Sequence, residues 1–207
     1  MEKPMKQPLT KNECIHEVVV VEGGYVDDPN DLGGETNYGI TKETAMKYKH
    51  WWAHYKWDGN MRTMPVDFVY AVYDVEYWQR LNLDTIAKRS VTLASRLFDF
   101  GVNAGIANAA QALQRSLNVL NKQGTLYPDI ELGTIIGPVT LKAFEGYANT
   151  VTKDSAGFEK LTLMIYGLQI AHYVKISEER QKNEDFTRGW VNRVWKAFWN
   201  YAEWLTP

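Results

Sequence analysis

The chain of 207 residues has one cysteine, Cys14. It cannot close an intramolecular disulfide, so no disulfide framework holds this fold, and the usage fits a reducing compartment. An excess of one charge sign is also missing. Lysine and arginine number 23 against 25 aspartates and glutamates, giving a net charge of −2, and the balance is even along the chain: 12 basic and 14 acidic residues up to position 97, then 11 of each. A nucleic-acid binder held mainly by phosphate neutralisation is excluded. Long apolar runs are absent too. The most apolar stretch, residues 161–176, is interrupted by Gln169, His172 and Lys175 and falls short of the roughly 20 residues that span a bilayer. The opening residues MEKPMKQPLTKNE lead into no apolar core of a secretory signal. A soluble chain with no transmembrane segment and no conventional export signal is expected. Neither GxxxxGK[ST] nor GxGxxG occurs, so nucleotide chemistry has no support.

What is there is a hydrophobic fraction of 45%, enough for a sizeable core in one or two domains. Aromatic residues reach 13%, with 8 tryptophans, an excess that needs explaining. They form two groups: Trp51, Trp52, Trp57, Tyr77 and Trp78, then Trp190, Trp195, Trp199, Tyr201 and Trp204. Aromatic rings bury large areas in cores and also stack on the apolar C–H faces of sugars. For each of these residues the core is the first expectation.

The chain reads as mainly α. Thr10 and Glu13 have the spacing of a capping box, and a helix over about 11–22 follows. The run Val18 to Val21 favours a strand, yet Ile15, Val18 and Val19 share a helical face. Gly23 and Gly24 stop the helix. Residues 25–40 are dense in turn formers, including Pro29, Gly33, Gly34 and Gly39, and predict a compact loop or small β-hairpin. Thr41 caps a helix running through Met46 to about Trp57, and Pro65 opens another in which Val69, Val72, Tyr73, Glu76 and Tyr77 share a face. Leu93, Leu97 and Phe100 repeat at helical spacing until Gly101 ends the segment; Ala110, Leu113, Leu117 and Leu120 repeat again. Helices are further expected from Pro138, from about Phe158 to Glu179, and around Trp190, Val194 and Phe198, with loops near 121–137 and 149–157.

Chemistry concentrates in EGGYVDDPNDLGGETNYGIT, residues 22–41. A glutamate closing an apolar helix lies against the core, where desolvation raises its pKa and keeps it able to donate a proton. Asp27, Asp28, Asp31, Thr36 and Asn37 follow in a segment able to fold back over Glu22. One protonated acid and a second polar group across the anomeric carbon is the layout of glycoside hydrolysis. The same residues also suit a solvated helix end, or a calcium loop, although the regular alternation of an EF-hand is missing.

This segment resembles the signature of the glycoside hydrolase family 108 muramidases: Glu-Gly-Gly-Tyr, an Asp-Pro pair, then Gly-Gly-x-Thr-Asn-Tyr-Gly-Ile-Thr. The resemblance implies that Glu22 is the catalytic acid. Phage-type lysozymes, which the family resembles, place an Asp nine residues after the Glu and a Thr shortly beyond. That implies roles for Asp31 and Thr36, although the Asp-to-Thr spacing here is one residue shorter. Tyr25, Asn37 and Tyr38 are the expected substrate-binding residues of this loop.

The second half resembles the peptidoglycan-binding-like domain that commonly follows, in Phe98-Asp-Phe-Gly-Val-Asn103-Ala-Gly105, Ala109-Ala-Gln-Ala-Leu-Gln114-Arg-Ser-Leu-Asn118 and Ile136-Gly-Pro-Val-Thr140. Asn103 joins the expected substrate-binding residues. An Asp-Gly pair usual before Ile-Gly-Pro is replaced here by Gly133-Thr-Ile-Ile136.

The expectation is therefore a mainly α, lysozyme-like helical fold with a small loop or β-hairpin insertion after the first helix. Residues 10–97 form the catalytic segment, and residues 98–207 a peptidoglycan-binding-like segment that binds wall or completes the core. The implied activity is an N-acetylmuramidase cutting bacterial peptidoglycan, in a phage or prophage endolysin made in the host cytoplasm and released through a holin. A monomer without cofactor or metal is expected. A lytic transglycosylase and a non-catalytic wall-binding or secretion-assisting protein are the alternatives. His50 and His54, four apart on an expected helix, lack a third ligand, and Cys14 and His16 are two apart and do not face each other.

Overall fold

The computed structural model describes residues 9–27, 34–152, 154 and 156–205, with 21, 22 and 203–205 described for their backbone. Asp28, Pro29, Asp31 and Gly33 lie outside the described residues, as does the Trp204 side chain. The fold is mainly α and lysozyme-like, with one short hairpin. Two compact units divide it, one within Leu9–Arg80 and one within Leu81–Pro207.

In the first unit α1 (Lys11–Glu22) starts on the expected capping box. The Glu13 N–H donates to the Thr10 hydroxyl at 3.3 Å, and the Thr10 N–H donates to the Glu13 carboxylate at 2.6 Å. Cys14, Ile15, Val18 and Val19 are buried while Val20 is 63% exposed, so the helical face prevails over the strand propensity of the valines. Helix α1 packs on α3 (Val66–Tyr73). Lys11 pairs with Asp74 at 2.5 Å, and His16 shares a 2.6 Å hydrogen bond with the Tyr70 hydroxyl.

Strands β1 (Thr36–Asn37) and β2 (Ile40–Thr41) pair antiparallel, Thr36 opposite Thr41 and Asn37 opposite Ile40. Their turn puts Tyr38 at φ 48° and Gly39 at φ 73°, the positive angles that let a two-residue turn match the strand twist. Thr41 then caps α2 (Lys42–Lys47) by accepting from the Thr44 N–H at 3.2 Å.

The helix expected as far as Trp57 stops at Lys47, and a 3₁₀ turn over Lys49–Trp51 and further turns replace it. Burial of Trp57 is the reason. Its ring lies 4.8 Å from both Trp52 and Phe68, its indole N–H donates to the Asn60 carbonyl at 2.9 Å, and Lys56 beside it takes φ 52°. Helix α3 continues directly into a π-helical turn, Asp74–Gln79.

The second unit comprises α4 (Leu83–Ala87), α5 (Val91–Ala104), α6 (Ile106–Leu120), α7 (Pro138–Thr150), α8 (Gly157–Glu179) and α9 (Glu184–Leu205). Helix α5 is central, packing against α4, α6 and α8, while α9 packs on α8. Gly101 does not end α5 as expected. The helix runs on to Ala104, and Gly101 is buried inside it because an added Cβ would sit 2.7 Å from Leu81 Cδ1. Glycine here permits close packing, and Gly105 makes the stop.

Candidate active site

Helix α1 ends on Glu22, and Gly23 follows at φ 86°, ψ −172°, a backbone region essentially restricted to glycine. The chain thus leaves the helix axis immediately after the glutamate. Val26 then pairs with Thr36 through two backbone hydrogen bonds, 2.8 and 2.9 Å. Four residues of chain span at most about 14 Å, so the Val26–Thr36 pair holds the base of the hairpin in the neighbourhood of the helix end. Asp31, between these paired residues, lies outside the described residues, as does the side chain of Glu22.

Successive residues of a strand face opposite ways. Asn37 is 4% exposed and its amide donates to the Met61 carbonyl at 2.6 Å. It pins β1 to the 3₁₀ turn Met61–Thr63. Thr36 faces the other way, half-buried, and its hydroxyl donates to the Gly34 carbonyl at 3.2 Å, leaving its oxygen lone pairs to accept. The Tyr38 carbonyl accepts from the Tyr73 hydroxyl at 2.9 Å.

Tyr25 sits in a polar cluster. Its hydroxyl lies 3.0 Å from a Glu35 oxygen and 3.2 Å from Asp27, and the Arg62 guanidinium lies 4.0 Å above its ring. Burial and the hydrogen bond to Glu35 raise the Tyr25 phenol above its ordinary pKa. Glu35 also pairs with Lys42, and the Lys42 and Tyr25 hydrogen bonds lower its carboxyl below the usual range. Glu35 is therefore an ionised, structural carboxylate and a poor proton donor at neutral pH. A recess of about 120 Å³ lies beside the hairpin turn, lined by Gly39, Thr44, Lys47, Tyr73, Glu76 and Tyr77 among others. Glu76, on the π-helical turn, accepts from Tyr48 and from Arg80, each at 2.9 Å, and burial together with that bond pushes the Tyr48 phenol up to about 12.

Of the residues expected at the site, the backbones of Glu22, Tyr25, Thr36, Asn37 and Tyr38 share the first unit. Asn103 lies in the second, on α5, with its amide donating to the Asp99 carbonyl one turn back at 2.7 Å. Glu35, Lys42 and Arg62 are not marked by the sequence as site residues, and Tyr73 is marked there only as part of a helix face. The Glu35–Lys42 pair had a signal, since a two-residue turn at Tyr38-Gly39 puts positions 35 and 42 opposite each other. Arg62 and Tyr73 had none, lying 37 and 35 residues from their partners. His50 and His54 do not share a helix: His50 is in the 3₁₀ turn and His54 in the turns after it. Among the described residues no group of three or more His, Cys, Asp or Glu is placed to hold a metal ion.

Gln114, Asn118 and Thr140, in the second recurring pattern, are engaged within the protein. The Gln114 amide donates to the Ile135 carbonyl at 2.9 Å and to Thr140 at 3.1 Å, and its oxygen accepts from the Gly133 N–H at 2.8 Å. Asn118 holds Ile130 through both backbone groups, at 2.8 and 2.9 Å. Gln114 and Asn118 clamp the 121–137 loop onto α6, and Gln114 also ties Thr140 of α7 to it.

Residues 15–105 match the glycosyl hydrolase 108 family model. They belong to that family. Residues 108–195 match the predicted peptidoglycan domain, so the glycosyl hydrolase 108 region is followed by a peptidoglycan domain, and the chain is a glycoside hydrolase acting on peptidoglycan. The structure of Brucella abortus SagA is similar, with a TM-score of 0.61 over 90% of each chain at 23% identity, a likeness of fold. No curated protein matches the chain. Among the described residues no helix is long and apolar enough to cross a membrane.

Proposed function

We propose that the chain is an N-acetylmuramidase that cleaves peptidoglycan between N-acetylmuramic acid and N-acetylglucosamine, with Glu22 as general acid. One observation carries this reading: within the glycosyl hydrolase 108 match, α1 ends on Glu22 and the chain returns at Val26 to pair with Thr36. Glu22 protonates the glycosidic oxygen, while Asp31 and Thr36 orient water or stabilise the oxocarbenium-like state on the other face. Tyr25 and Tyr38 border the sugar, and Asn37 supports it by holding the strand. Residues 10–97 form the catalytic segment in this reading, and residues 98–207 the segment that adds wall recognition. A lytic enzyme and a wall-recognition part in one chain suit a phage or prophage endolysin, monomeric, made in the cytoplasm and freed onto the wall by a holin.

The test compares the parent with Glu22→Gln on purified peptidoglycan. The amide keeps the shape and loses the proton, and clearing should fall by about 10² to 10⁴-fold. Equal rates would sink the assignment. New reducing ends are the expected products, whereas anhydro-muropeptides would make the enzyme a lytic transglycosylase. Lysis that needs a co-expressed holin supports the endolysin setting, and lysis without one removes it.

A further inference from the structure

We infer that the outer face of α9 is a second binding site, for the glycan strand of peptidoglycan, built on Trp195 and Trp199. The inference rests on peptidoglycan being the substrate and names where the polymer is held outside the catalytic segment. Three aromatics of α9 are accounted for by packing: Trp190, Phe198 and Tyr201 lie against a cluster of Tyr166, Tyr173 and Val194, and the exposed Phe186 stacks on Trp190. Trp195 and Trp199 depart from the core expectation, at 55% and 49% exposed. Their ring centroids are 5.1 Å apart with planes at 85°, the edge of one ring meeting the face of the other.

Arg188, Asn192, Trp195 and Trp199 are spaced i, i+4, i+7 and i+11, which places them in one stripe along the helix. All four are exposed, as is Lys196 beside them. The stripe is about 16 Å long at the helical rise, long enough to follow several sugar rings. Its chemistry suits this polymer. Indole faces stack on pyranose C–H faces, an amide bonds N-acetyl and hydroxyl groups, and the two cations complement the carboxylates of the peptide stems. A chain of net charge −2 has no general attraction to an anionic wall, so placed cations matter. A lipid surface would need a wide unbroken apolar face, whereas this stripe contains Arg188 and Asn192, and Trp190, Phe198 and Tyr201 of the apolar side are packed inward. In this region Gln114 and Asn118 clamp the 121–137 loop and Gln114 also holds Thr140 of α7, so α9 is the better candidate for contact with the polymer.

Pelleting of the full chain with purified sacculi, in the Glu22→Gln background and in the cold, tests the site. Trp195→Ala/Trp199→Ala should bind about tenfold more weakly or worse, with far-UV circular dichroism and melting temperature held. Should that variant misfold, Arg188→Gln/Lys196→Gln serves alone: it should weaken binding and flatten its salt dependence. Undiminished pelleting of a folded variant overturns the inference. So does loss of binding to phosphatidylglycerol vesicles, or loss of a dimer in sedimentation velocity, with sacculus binding intact; those results would assign the face to a membrane or to a second copy. Pelleting reads retention and clearing reads turnover, so this site and the Glu22 assignment fail separately.

Discussion

The Tyr73 hydroxyl donates to the Tyr38 carbonyl at 2.9 Å, tying the turn of the hairpin to the end of α3. Tyr38 has a positive φ of 48° without being glycine, a conformation that survives when its surroundings hold it. Tyr73 is 3% exposed, so the bond is made largely away from water. Tyr73→Phe keeps the ring and removes the donor. Stability should drop by about 1 kcal/mol, which for a chain of this size lowers the melting temperature by about 2–4 °C. Wall clearing should fall severalfold because the loosened turn carries Thr36 with it. Thermal unfolding and initial clearing rates measure the two effects, and a variant unchanged in both would show that the turn is held by other contacts.

The Asp99 carboxylate is the second tie, between helices of the other unit. It pairs with Arg96 on its own helix and accepts from the Arg193 Nε of α9 at 3.0 Å, while the Gln169 amide of α8 lies 3.4 Å away. The Arg96 side chain is 2% exposed and its guanidinium lies 4.8 Å from the Tyr166 ring. Removing one partner of a buried ion pair leaves a charge without compensation, at a cost of about 3–5 kcal/mol. Asp99→Asn should therefore shift the urea midpoint strongly downward with little change in slope. Arg193→Gln, on a more exposed partner, should cost less. A double-mutant cycle of the two measures their coupling, and additive losses would remove the pairing from the account.

Local signals made the frame of the fold legible: the Thr10–Glu13 capping box, the turn formers of residues 25–40 and the spacing of Leu93, Leu97 and Phe100 each decide structure within a few residues. Where the structure departs from those signals, distant residues intervene. Gly101 reads as a helix stop until Leu81 is found against it, and the helix past Lys47 gives way to the burial of Trp57 against Phe68. The site divides in the same way. Glu22 and Thr36 stand in one continuous segment and carry a recurring pattern, whereas Arg62 over Tyr25 and Tyr73 under Tyr38 arise only from folding. Exposure of Trp195 and Trp199 was hidden for a related reason, since helical spacing groups residues on a face without saying which face is covered.

His172 makes one part of the stability dependent on pH. On α8, its ring lies 5.9 Å from those of Phe100 and Tyr173, and burial, with a smaller contribution from Lys175, lowers its pKa below the ordinary 6.5. Between the lowered folded value and 6.5 the unfolded chain binds more protons than the folded one, so stability rises with pH through that window. The contribution is complete above 6.5 and is lost as pH falls toward the folded value. Carboxylates add their own dependence at more acidic pH, so the informative quantity is a difference. Urea unfolding of the parent and His172→Gln from pH 8 to pH 5 should give curves offset by a constant above 6.5. Below it they should converge, the variant being the less sensitive to acid. Curves that stay parallel throughout would mean that His172 takes up its proton as readily in the folded chain as in the unfolded one.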